Sequence, residues 1–311
     1  MSSQARSAFL EGISSLEKTL EESWAIEDTP RGAFVRRGLT VASFNLLETF
    51  ILERLEEVAV YLNSGNLLYA ELPQRLQLPA ARTAIDVVSS RLRRVDDTER
   101  TRLAIELSNA LSSMHKSTVS FSPLSWVWSG SNMGSDDYKS MLRKFHVEDA
   151  FAKVRDVAGR LGFQTSDPTT GALLDFADQL KNLAQERHSS AHDSAHTVST
   201  MWLKTVGKTL LQFGSGFDIL ASVGAVNLRA ATRGYFDDEG WTSIDRVALH
   251  LVKERTKDFA LFTGASSKAT KVLADGDELF RGASRNRKLN DVVVRMDRNG
   301  RLEDWTVPHI G

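Results

Sequence analysis

The sequence predicts a mainly α-helical protein that ends in a small β-hairpin. Apolar residues recur three and four positions apart over most of the chain, the spacing of one helix face. Only 6 prolines interrupt 311 residues, so few of those helices are forced to stop. Near the C-terminal end the period changes: Val292-Val293-Val294-Arg295-Met296 and Leu302-Glu303-Asp304-Trp305-Thr306-Val307 read as strands, and Asp297-Arg298-Asn299-Gly300 between them is a turn. The expected division is a helical domain over residues 1–235, with an N-terminal helix and a middle insertion, and a C-terminal helix plus basic hairpin extension over 236–311.

Each element has its own signature. Phe9, Leu10, Ile13, Leu16 and Leu20 line one face of a helix over 8–24, opposite Glu11, Glu17 and Glu21. Asp28-Thr29-Pro30-Arg31-Gly32 breaks the chain, and a long apolar helix over 33–62 comes next. Glu48 lies inside its apolar part, first as a boundary or intersubunit contact and only second as a site residue. Residues 61–81 read as a looser link with Pro73 and Pro79, and 84–114 as one or two helices. Arg91, Arg93, Arg94, Arg100 and Arg102 alternate there with Asp97, Glu99 and Glu106, which suggests a solvated face before an RNA contact.

Residues 117–137 read as a loop carrying Trp126 and Trp128, either core cover or a stacking face for a base. Helices are expected over 136–161 and 171–186. After Asp193-Ser194 a further helix should run from about 195 to 211 and on towards Leu228, and another over 242–262 with Ile244, Val247, Leu251 and Phe259 on one face.

Composition bounds the function. Apolar residues make up 41% and charged residues 25%, the balance of a folded chain rather than a disordered one. The 39 basic and 40 acidic side chains nearly cancel, so any nucleic-acid surface must be local. Absence of cysteine excludes disulfides, thiolate metal sites and cysteine nucleophiles, and fits a cytoplasmic protein. No long apolar run comes after the first residues, so no signal peptide is expected. The apolar region 210–231 is interrupted by Gly214, Gly216, Asp218 and Gly224, too broken for a membrane span.

The chemistry concentrates in Leu180-Lys181-Asn182-Leu183-Ala184-Gln185-Glu186-Arg187-His188-Ser189-Ser190-Ala191-His192-Asp193. It starts as an amphipathic helix and ends with a permanent cation and imidazoles that titrate near neutral pH. Three readings compete. His188, His192 and His196 are spaced by four and would form a stripe able to ligate zinc, but no Glu follows the first His as the zinc-peptidase pattern requires. A helix end rich in Arg and His is also stabilised by the helix dipole with no function at all. The third reading is RNA cleavage without a metal, which needs a base for the ribose 2′-hydroxyl, an acid for the leaving oxygen and a cation for the phosphate. Arg187 and His192 point about 140° apart on a regular helix, so they converge only through a bend, a helix end or a two-fold axis.

Arg187-His188-Ser189-Ser190-Ala191-His192 resembles the R-x4-6-H motif of the HEPN superfamily, and the leucine-rich turn before it and the early helix Gly38 to Phe50 resemble that family too. Residues 132–161 look like the insertion of its RiboL-PSP-HEPN-like branch, and the likeness covers roughly 33–228. The resemblance implies a HEPN-like helical bundle with long helical insertions and a homodimer with its site at the interface. The implied activity is that of an endoribonuclease, in relatives often a toxin or phage-defence effector checked by an antitoxin or regulatory protein. Arg187 would contact the phosphate, and His192 would be the catalytic His. His188 would take the polar position after the Arg, where relatives more often have Asn or Asp, and would help bind substrate. Asp193 after the final His adds a negative charge.

The tail supplies a second basic patch, with Arg285, Arg287 and Lys288 as candidate RNA contacts against the alternative of a solvated hairpin. No metal and no cofactor are expected. A non-catalytic RNA-binding or regulatory module using the same cleft is the alternative function.

Overall fold

Ser3 opens the first helix: its Oγ accepts the Arg6 amide at 3.0 Å and α1 runs Gln4–Thr19. The computed structural model describes residues 3–65, 67–72, 74–92, 95–112, 121, 133–167, 169–230, 247–264, 266–285, 288–307 and 310. After the short α2 (Ser23–Ile26), Thr29 caps and Pro30 starts α3 (Pro30–Asn63), a helix about 50 Å long. A single 3-10 turn at Tyr69–Glu71 leads to α4 (Gln74–Arg91) and α5 (Asp97–Ser112), which share a small core of Ala84, Val87, Val88 and Leu103. The expected link over 61–81 is therefore partly helical. Most of the expected tryptophan loop, with Trp126 and Trp128, and Arg93 and Arg94 lie outside the described residues.

α6 (Ser135–Arg143) and α7 (Ala150–Arg160) fill the expected 136–161 span. α8 (Phe176–His192) begins later and ends later than the expected 171–186: it starts under Asp175, whose carboxylate accepts the Ala177 amide at 2.8 Å. α9 is Thr200–Arg229, five residues later than the sequence suggests. The intervening segment is held out of the helix by arginines of α3: Arg36 Nε donates to the Val198 carbonyl at 3.1 Å, and Arg37 Nη1 to that of His196 at 3.3 Å.

α9 is the axis of the fold. Every residue from Leu210 to Leu228 is buried, and α1, α3 and α7 pack around it. Its glycines are approach points. A Cβ on Gly214 would sit 2.8 Å from the Phe9 ring, and one on Gly216 2.8 Å from Val154 Cγ1 and 3.0 Å from the Val154 carbonyl. Among the described residues α9 is the one helix long and apolar enough to cross a membrane, so the glycines do not disqualify it; 94% of its most apolar stretch is instead buried inside the protein, as in a core helix.

With 62% helix the protein is mostly helical. Its C-terminal part is more than a hairpin: β1 (Ala248–Glu254), β2 (Phe259–Thr263), β3 (Lys271–Leu273), β4 (Asp291–Met296) and β5 (Leu302–Thr306) form one mixed sheet in the order β3-β2-β1-β4-β5. β1 and β4 are parallel, joined through α10 (Gly276–Arg285), and the other pairs are antiparallel. The expected hairpin is β4–β5. The helix expected over 242–262 is overturned from Ala248 onward, where the chain forms β1 and β2; residues 242–246 lie outside the described ones. The reason is burial on both faces. Leu249, Val292, Val294 and Trp305 face the helices, while Val252, Leu261 and Val293 face α10, so apolar residues fall at consecutive positions and no clean alternation marks a strand.

A buried polar network fastens this sheet to the helices. Asp218 of α9 accepts from Arg54 Nε at 2.6 Å, Ser222 Oγ at 2.7 Å and Trp305 Nε1 at 2.7 Å. Trp305 also meets Phe50 edge-on at 6.3 Å between ring centroids.

Candidate functional site

Arg187 and His192 both lie on α8, which runs unbroken to His192 and ends at Asp193. Leu180 and Leu183 are buried and fix which way the helix faces. α8 packs on α3, α6 and α7, and this sets the two residues in different surroundings. Arg187 turns into the groove against α3, where its Cζ lies 5.8 Å from the centre of the Phe44 ring. His188 and His192 lie on the exposed side, their rings 4.7 Å apart. The helix carries through from Arg187 to His192, and on a regular helix side chains five residues apart point about 140° away from each other.

The groove holds a carboxylate as well. Glu48 is one turn beyond Phe44 on α3, so both face the same way. Its Oε1 accepts the main-chain amide of Met133. Burial pushes the Glu48 carboxyl above its ordinary value, while the Met133 amide and the Arg187 guanidinium pull it down and Asp137 pushes it up. Tyr138 closes the same corner: burial, then Glu48 and Asp137, raise its hydroxyl well above its ordinary pKa. Arg187 Nε and Ser190 Oγ are buried and have no hydrogen-bond partner among the described residues.

The groove residues Phe44 and Ser190 are not found by reading the motif, and Glu48 stands there only as a secondary candidate. A signal for Glu48 was present, since a carboxylate among Phe44, Leu47, Phe50 and Ile51 is costly unless it meets a donor.

The three-histidine stripe is not formed. α8 stops before His196, and that ring turns back to Glu186, with Nε2 2.8 Å from Oε2. Among the described residues no group of three or more His, Asp or Glu is placed to hold a metal ion.

The basic candidates elsewhere separate. Arg100 pairs with Asp97 at 2.7 Å, and Arg102 with Glu99 and Glu106, the solvated face the alternation suggested. In the tail Arg295 pairs with Asp277 and Glu303, and Arg301 with Glu17. Arg285 and Lys288 are exposed at the end of α10, which packs on the sheet, not on α8. Arg287 lies outside the described residues. The tail cations thus belong to a surface of their own. Compared with known proteins, the chain matches no family model, no curated protein and no solved structure.

Proposed function

We propose that the protein is a metal-independent endoribonuclease whose site is assembled across a two-fold axis from α8 of two HEPN-like protomers. The observation that supports this reading is the division of α8. It presents a groove-bound cation, Arg187, and an exposed imidazole, His192, in the spacing of the R-x4-6-H motif. On one straight helix they diverge by about 140°, and a second copy facing the first supplies the missing group to each cleft. The exposed, uncharged side chains Phe34 (69% exposed) and Met201 (75% exposed) begin α3 and α9, the two helices that flank the segment leaving α8, and offer that second copy an apolar contact.

In the reaction His192 takes the proton of the ribose 2′-hydroxyl. The 2′-oxygen attacks the adjacent phosphorus and the bond to the 5′-oxygen breaks. The imidazolium so formed gives that proton to the leaving 5′-oxygen, so one His192 serves each cleft together with Arg187 of the other copy. Arg187 holds the phosphate oxygens while charge builds on them. The products are a 2′,3′-cyclic phosphate and a 5′-hydroxyl. His188 lines the cleft. Such an enzyme fits a toxin or phage-defence effector held in check by an antitoxin or regulatory protein.

A second reading, a non-catalytic RNA-binding or regulatory module, is favoured by the same separation of Arg187 from His192 within one protomer. Incubating the protein with mixed RNA in EDTA tells them apart. Wild-type cleavage with cyclic-phosphate ends, reduced by about 10²-fold or more in Arg187→Ala and in His192→Ala, is the expected outcome. Cleavage unchanged in His192→Ala overturns the enzyme reading, and RNA bound but uncut by wild type replaces it with the module.

A further inference from the structure

Glu48 stands on α3 across the groove from α8; burial raises its carboxyl pKa and the charge of Arg187 pulls it down. Its position is set by the helix: Phe44 and Glu48 are four residues apart on α3 and share the face turned to α8. Phe44 supplies an aromatic face to the guanidinium and Glu48 supplies its counter-charge. The carboxylate is itself fixed, because Oε1 accepts the Met133 amide, and Asp137, which also faces it, is occupied by the Gly134 amide at 2.7 Å. Arg187 Nε has no hydrogen-bond partner among the described residues. The ring of Phe44 and the charge of Glu48 thus fix where the guanidinium lies in the groove.

We propose that Glu48 is a positioning residue: its carboxylate, anchored by the Met133 amide, aims the Arg187 guanidinium in the groove so that it meets a phosphate already oriented. The inference rests on the reading of Arg187 as the phosphate-contacting residue. A carboxylate near an anion site costs affinity, since it repels the phosphate; it is useful only if the orientation it imposes is worth more in the transition state than in the bound ground state. Glu48 should therefore weaken phosphate binding and speed the reaction.

Glu48→Gln separates this role from simple anchoring, because the amide oxygen still accepts the Met133 N–H while the charge is gone. The variant is expected to lose about tenfold in kcat on RNA with KM changed little or lowered. In calorimetric titration with inorganic phosphate it should bind about threefold or more tightly than wild type, and Arg187→Ala should lose that binding. Glu48→Asp, which keeps the charge and withdraws it by one methylene, should recover part of kcat. Equal kcat and equal phosphate affinity in wild type and Glu48→Gln overturn the proposal and leave Glu48 as an anchor for Met133. Wild type that binds phosphate through Arg187, responds to Glu48→Gln and cuts no RNA removes the ribonuclease reading alone. Matching thermal melts of wild type and Glu48→Gln establish that the comparison is between folded proteins.

Discussion

Asp218 is fully buried and touched by three donors: Arg54, Ser222 and Trp305. Burial alone would raise its pKa, but the charges of Arg54 and Arg6 and the hydrogen bonds outweigh it and hold the carboxyl below its ordinary value. The unfolded chain therefore binds this proton more readily than the folded one. The stabilisation is complete above the unfolded value of about 3.9 and disappears as pH falls through the lower folded value. Urea unfolding should show stability falling steeply below about pH 4, a limb that Asp218→Asn flattens. At neutral pH that variant should lose about 3 kcal/mol, because the buried Arg54 and Arg6 lose the carboxylate between them and Arg54 keeps only Glu57. Lys144 gives the same sign of pH dependence from a different cause and in a different window. Burial lowers its pKa to about 8, so between about pH 8 and 10.5 the unfolded state carries the extra proton, and stability should rise with pH by at most about 3 kcal/mol. Lys144→Met should remove that rise.

At the level of elements, α9 depends on close approach. Alanine at Gly216 would bring a methyl against the Val154 carbonyl, which cannot swing aside as a side-chain end can. Gly216→Ala should lower stability by about 1–3 kcal/mol. Gly282 of α10 has open space around it, so Gly282→Ala should gain up to about 1 kcal/mol; thermal melts of the two variants should move in opposite directions. The long helices are readable because an apolar face runs along each, and Asp28 to Gly32 marks the break at which α3 begins; Asp175, the cap of α8, does not stand out, so the start of that helix is expected too early, at 171. The β4–β5 hairpin was readable from Asp297 to Gly300. β1 and β2 were not, because a sheet covered on both faces loses its period. The signal for α10 was missed, although Asp275 accepts the Asp277 and Glu278 amides at 2.8 and 3.1 Å as its cap. Of the candidate site, Arg187, His188 and His192 stand out in the sequence as one motif. Glu48 lies 139 positions before Arg187, and only the packing of α3 on α8 makes them neighbours.

On the scale of the whole molecule, the sheet is part of the helical core: Trp305 reaches Asp218 and Phe50, and Arg6 Nε bonds Asp304 at 2.9 Å. Deleting residues 302–311, which include β5, should therefore unfold the helices, seen as loss of helical circular dichroism, instead of releasing a stable helical domain. The same scale decides whether the site belongs to one chain or two. If Arg187 of one protomer works with His192 of the other, neither Arg187→Ala nor His192→Ala is active alone. A mixed dimer of the two nevertheless retains one intact pair, Arg187 from the His192→Ala chain and His192 from the Arg187→Ala chain. Random exchange makes about half of the dimers mixed, each with one of two sites whole, so the mixture should recover about a quarter of wild-type cleavage. Phe34→Glu should abolish the recovery and leave a monomer in sedimentation, because it places charge on the surface that begins α3. Recovery in the mixture but not in the Phe34→Glu background would put both the shared site and its interface on α3 and α8. A mixture as inactive as its parents, formed from proteins that sediment as dimers, would mean that Arg187 and His192 act within one chain, and that the bundle must open at the end of α8 to bring them together.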